Sequence, residues 1–178
     1  MTTQREAIEA FVATMDKYTY LQPVVAEAIG AAQTDLNTWR SRELLRTGWR
    51  KEGGRIVYTG RGLLLAGLMN EWAWLFDPSR ARFLSEQFID VLVPSDDYDV
   101  NLKTLLSYTV ITEFNKGPDR RPEHQSEINK WEQLNLALTP HSTPKTISCD
   151  RRIIAFNVGK LCREWAMKAQ ALLNHPGL

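Results

Sequence analysis

Arg46, Arg50, Lys51 and Arg55 surround a Gly53-Gly54 pair in the stretch RTGWRKEGGRIVYTG, residues 46 to 60. Side chains of this type and spacing bind polyanions. Paired glycines tolerate the positive φ of a tight turn, and the run Arg55-Ile-Val-Tyr is rich in strand-forming residues, so the spacing predicts a basic hairpin. Just upstream, Thr34, Asn37, Thr38 and Ser41 share one side of a predicted helix, away from Leu36 and Trp39, with Arg40 and Arg42 flanking. Amides and hydroxyls on such a face suit the donor and acceptor edges of bases, Asn pairing with adenine, while the arginines suit phosphates. Arg50, Lys51 and Arg55 on the hairpin would lie along a duplex backbone or reach into the minor groove, contacts that weaken with salt.

Other chemistry finds less support. Asp96, Asp97 and Asp99 are a tight acidic cluster but lack the longer ligand series and turn glycine of a calcium loop, and read as a solvated loop or helix cap. His124, His141 and His175 are scattered, with no zinc-ligand spacing. Of the two cysteines, Cys162 falls on the apolar side of a helix, as a small buried hydrophobe does, and Cys149 precedes a predicted helix cap. No Ser-His-Asp grouping, phosphate loop or dinucleotide fingerprint is present. The expectation is a binding protein with no catalytic residue, metal or cofactor.

Several elements must position the basic and polar residues. Ile8, Phe11, Val12 and Met15 have helical spacing within residues 4 to 17. In LQPVVAEAIG, Pro23 suits a first helical turn and Gly30 the position just past a helix end. Thr34 or Asp35 offers an N-cap for a second helix, TDLNTWRSRELL, with a buried stripe of Leu36, Trp39 and Leu44. After the hairpin, RGLLLAGLMNEWAWLF reads as an apolar helix closed by Asp77-Pro78. Trp72 and Trp74, two apart, cannot both face one core, and Trp49 suits either an exposed contact or packing.

Beyond Pro78, SRARFLSEQFIDVLV and residues 99 to 106 read as helical, and SYTVITEF as a strand. NKGPDRRPE reads as a loop, residues 123 to 138 as a helix, and KTISC as a second short strand. Asp150 would cap a long helix to about Asn174, whose seam of Ile154, Val158, Leu161, Trp165, Ala169 and Leu172 would serve its own chain or a dimer contact.

With 178 residues and 43% hydrophobic content, the chain can bury a real core. Its formal net charge of +1 hides an asymmetry: residues 40 to 61 hold seven Lys/Arg against two Asp/Glu, and residues 86 to 113 hold six acids against Lys103 alone. The basic segment attracts polyanions and the acidic one repels them. MTTQREAIEAF has charges where a signal peptide would need its apolar stretch, no run approaches the apolar length of a membrane span, and two cysteines without CxxC spacing lead to the expectation of a reducing, cytoplasmic setting.

The elements VAEAIGAAQTDLNTW, the RELL helix end, the Gly-Gly-Arg turn and the Tyr58-Thr59 entry into the next helix resemble the DNA-binding domain of the MerR family of bacterial transcription regulators, over residues 20 to 76. The resemblance to phage excisionases is looser. It implies a winged helix-turn-helix, with helix-turn-helix at 21 to 45 and wing at 46 to 58. The chain departs from the family in carrying Thr34 and Asn37 where Arg is usual and Glu43 where Gly precedes the apolar helix end. Arg55 and Tyr58 are also separated by two residues instead of one.

The expected fold is mainly α, of the α+β class. An amphipathic helix (1–17) would precede a winged helix-turn-helix domain (18–76), and a mostly helical domain (79–178) with a small two-stranded sheet and a long last helix would follow. The expected function is sequence-specific regulation of transcription by binding double-stranded DNA through Thr34, Asn37, Thr38, Arg40, Ser41, Arg42, Arg46, Arg50, Lys51 and Arg55. A homodimer and a protein partner for the C-terminal region are further expectations. Architectural binding at recombination sites, or docking of a protein by the winged fold, are the alternatives.

Overall fold

Helix α1 (Gln4–Val12) starts where the Thr3 side chain accepts from the Glu6 N–H and the Glu6 carboxylate accepts from the Thr3 N–H, a reciprocal cap. Ile8, Phe11, Val12 and Met15 are all buried, but the helix ends at Val12 instead of continuing to residue 17, and Met15 reaches the core from the turn that follows. The computed structural model describes residues 3–73, 76–93, 97–107, 111–116, 122–127 and 154–174. They fall into two units, Met1–Ser107 with Cys162–Leu178, and Tyr108–Leu161.

The first unit continues with strand β1 (Tyr20–Leu21), helix α2 (Gln22–Ile29) and helix α3 (Gln33–Ser41). Pro23 sits in the first turn of α2, and Gly30 closes that helix at φ 71°. Two expectations for α3 need correction. The helix begins one residue before Thr34, with Ala32 at the cap position, and it ends at Ser41 instead of running through Leu45. Glu43 takes φ 56°, so the Glu43 N–H donates to the Arg40 carbonyl and the Leu44 N–H to the Trp39 carbonyl at 2.7 Å. This left-handed closure satisfies the last carbonyls and turns Leu45, instead of Leu44, fully into the core.

Strands β2 (Trp49–Glu52) and β3 (Arg55–Tyr58) form the expected hairpin, turning at Gly53 and Gly54 with φ 54° and 81°. β1 adds to β3, pairing Tyr20 with Tyr58 and Leu21 with Val57, so this sheet has three strands in the order β1-β3-β2.

Helix α4 (Gly60–Trp72) is capped by the Thr59 hydroxyl, which accepts from the Gly62 N–H, and is buried nearly all round. Gly62 is the contact point with the start of the hairpin: a Cβ there would stand 2.0 Å from the Gly48 carbonyl oxygen. Two backbones thus touch where no side chain fits. Asp77 caps α5 (Pro78–Leu92), and Trp72 of α4 lies 5.6 Å from Phe88 of α5, centroid to centroid. Trp74 lies outside the described residues. The Asp97 carboxylate accepts from the N–H groups of Asp99 and Val100 at the start of α6 (Tyr98–Ser107), the cap reading of that acidic stretch.

In the second unit, β4 (Ile111–Lys116) pairs antiparallel with β5 (Pro122–Glu127) on one side and β6 (Ile154–Asn157) on the other. The fold is therefore mainly helical with small antiparallel sheets, and this one has three strands where two were expected. Residues 123 to 127 are strand instead of the start of a helix, and residues 154 to 157 are strand instead of part of a last helix capped by Asp150. Both segments are drawn into the ladder with β4, whose pairing outweighs local helical pattern. KTISC, Cys149, Asp150 and His141 lie outside the described residues.

The last helix, α7, spans Val158–Leu173. From Cys162 onward it belongs to the first unit, where Cys162, Trp165, Ala166 and Ala169 are buried. Trp165 lies over Gly67 of α4, and the Gln170 amide donates to the Tyr20 hydroxyl at 2.6 Å. The Lys168 ammonium donates to the Glu27 carbonyl at the end of α2. Of the expected seam, Trp165 and Ala169 pack within the chain, while Ile154 lies in β6 instead of on this helix. Among the described residues, no helix is long and apolar enough to cross a membrane.

Candidate nucleic-acid interface

Burial of Leu36 and Trp39 fixes which side of α3 faces outward. Thr34, Asn37, Thr38 and Ser41, at positions i, i+3, i+4 and i+7, are exposed on that outward side, and Arg42 is exposed at the cap. The sequence pattern predicts this grouping. The Thr38 hydroxyl donates to the Thr34 carbonyl at 2.8 Å and the Ser41 hydroxyl to the Thr38 carbonyl at 3.0 Å, which leaves both oxygens presenting lone pairs outward. Asp35 is also exposed on this helix and puts one negative charge near its first turn.

Arg40 departs from its expected place among the outward residues. It is half-buried, its guanidinium 4.9 Å from the Trp49 ring centroid, and one of its terminal nitrogens donates to the Gln22 carbonyl oxygen at 3.0 Å and to the Asn37 carbonyl oxygen. Trp49 donates its indole N–H to the Leu45 carbonyl at 2.6 Å, which settles it as a packing residue. Burial pushes the Tyr58 phenol up to about 12, with the neighbouring Arg40 charge pulling the other way. Arg40 therefore joins α2, α3 and the hairpin into one piece, a task for a planar cation with several donors.

The hairpin carries its cations outward. Arg50, Lys51 and Arg55 are all exposed. Arg50 meets Glu52 at 3.1 Å with both side chains about half exposed, 51% and 56%. Arg46 meets Glu43 at 3.8 Å, at 57% and 79% exposure. Ion pairs this exposed cost little to open. Arg42, Lys51 and Arg55 make no ion pair among the described residues.

Two contributors were not legible in the sequence. Tyr18, 38% exposed, holds its ring 4.2 Å from the Arg50 guanidinium, a stacking that orients the cation. Gln22, only 8% exposed, anchors Arg40 and Asn37 from beneath. Neither carries a local signal: Tyr18 precedes the first strand, and Gln22 sits in a run that reads as a helix start.

Elsewhere, no cluster of metal-binding side chains occurs among the described residues. Cys162 is fully buried and its thiol is pushed well above the ordinary range by burial, so it is held as the neutral thiol. The sequence matches no protein-family model and no curated protein.

Proposed function

We propose that α2, α3 and the β2–β3 hairpin act as a winged helix-turn-helix that binds double-stranded DNA sequence-specifically, with α3 in the major groove and the hairpin as the wing. One observation carries this reading. A polar helical face is braced by Arg40 against a glycine-turned ribbon, and the cations of that ribbon are exposed. Thr34, Asn37, Thr38 and Ser41 face base edges; Arg42, Arg46, Arg50, Lys51 and Arg55 face phosphates. Arg40 contributes by holding the helix and the ribbon in register. The protein then regulates transcription by occupancy: bound at a promoter, it blocks or recruits other machinery, with no reaction of its own.

The test is duplex binding by fluorescence anisotropy over a range of salt concentrations, with the full chain and with Arg50, Lys51 and Arg55 replaced together by Ala. Each lost phosphate contact removes about 0.9 from the slope of log affinity against log salt. The triple variant should lose a slope of about 3 and most of its affinity. Equal binding by both proteins, or none by the native chain, would refute the proposal.

A further inference from the structure

Arginine can only donate hydrogen bonds, and this settles the orientation of two amides next to it. An Arg40 terminal nitrogen donates to one oxygen of Gln22 and one of Asn37. With its oxygen so assigned, Gln22 must present its NH2 on the other side, where it donates to the Gln33 carbonyl at 3.3 Å and to the Asn37 carbonyl oxygen at 3.1 Å. The Asn37 oxygen thus receives two hydrogen bonds from obligate donors beneath it. Its NH2 group has no partner among the described residues and belongs to the exposed face of α3.

Resting on the proposal that α3 reads base edges, we infer that Asn37 enters the major groove as a donor only and selects guanine. The usual pairing of Asn with adenine needs the carbonyl to accept from adenine N6 while the NH2 donates to N7. Here the carbonyl is already occupied, and separating it from Arg40 would leave a half-buried guanidinium short of a partner. A lone NH2 finds only a donor at cytosine N4, a single acceptor beside the repelling N6 donor at adenine N7, and a single acceptor beside the C5 methyl at thymine O4. Guanine offers two adjacent acceptors, O6 and N7, to the same group. The Gln22–Arg40 pair is in this sense a specificity device: it decides which half of an exposed amide faces DNA.

The experiment is selection from a pool of randomised duplexes with three full-length proteins: the native chain, Asn37→Ala and Asn37→Asp. Thermal melting of each first verifies folding, and the Asp substitution keeps an oxygen for Arg40 and Gln22. The native chain should enrich a G·C pair at one position that Asn37→Ala leaves random. Asn37→Asp, which turns an acceptor outward, should reverse that pair so that cytosine N4 is read, with lower overall affinity. Substituting 7-deazaguanine there should weaken binding of the native chain about tenfold and leave Asn37→Ala unaffected. An A·T pair at the Asn37-dependent position, or no such position in an otherwise defined site, overturns the inference while DNA reading stands. A pool with no enriched sequence removes the DNA reading and this inference with it.

Discussion

Trp165 lies directly on Gly67: a Cβ added to that glycine would stand 2.6 Å from the indole ring. The last helix is docked on α4 through this notch, and the hydrogen bond from Gln170 to Tyr20 extends the docking to the strand that completes the hairpin sheet. The C-terminal helix is thereby part of the scaffold that carries the proposed interface.

Filling the notch should loosen that docking. Gly67→Ala gains roughly 1 kcal/mol of helix propensity, but the new methyl meets a rigid ring, and overpacking costs about 1–3 kcal/mol. A net loss of about 1 kcal/mol, and at most about 2, is expected in urea unfolding. The loss should shrink in a Trp165→Leu background, where the flexible side chain can yield. Equal losses in both backgrounds would show that the ring is not the obstacle.

Glu43 occupies the left-handed position that closes α3, at φ 56°. A side chain there costs about 1–2 kcal/mol, and glycine returns part of the gain through the greater freedom of its unfolded chain. Glu43→Gly should therefore stabilise the protein by about 0.5–1 kcal/mol, raising the melting temperature by a few degrees. A fall in melting temperature would mean that the Glu43 carboxylate or its pairing with Arg46 contributes more than the strain.

Tyr20 and Tyr58 are both fully buried, and burial pushes each phenol up to about 12 from the ordinary 10. Their neutral forms favour the folded state, so this contribution is complete below about pH 10. It is lost as pH rises toward 12, because the unfolded phenols ionise first. Stability should fall by at most about 1.4 kcal/mol per pH unit for each tyrosine across that window. Urea midpoints of the native chain and of Tyr20→Phe and Tyr58→Phe measure this, since each Phe variant should show a shallower alkaline decline. Parallel declines in all three proteins would assign the effect to other groups.

Glu52 holds Arg50 at 3.1 Å at the end of the ribbon. On the DNA reading, Glu52→Gln frees the guanidinium for phosphate and removes a repelling charge, and duplex affinity should rise several-fold at low salt with a steeper salt dependence. Weaker binding would mean that the carboxylate orients Arg50 productively. Tyr18→Phe keeps the ring under Arg50 and should leave affinity unchanged, whereas Tyr18→Ala should lower it.

Local chemistry made much of this architecture readable before any coordinates. The spacing of Ile8, Phe11 and Val12 determined the buried side of the first helix. Pro23 and Gly30 bounded the second, and Gly53-Gly54 fixed the hairpin turn, because each acts within a few residues of itself. The outward polar face of α3 followed from Leu36 and Trp39 for the same reason. Contacts between residues distant in sequence decided the rest. β1 and β6 exist because other strands pair with them, and β5 replaces a helical pattern through its ladder with β4. Arg40 turned inward because Trp49 and Gln22 await it there, so the orientation of Asn37 depends on a residue fifteen positions away. A sequence states which groups a side chain carries, but hydrogen bonding by its neighbours in space determines which of them remain free to act.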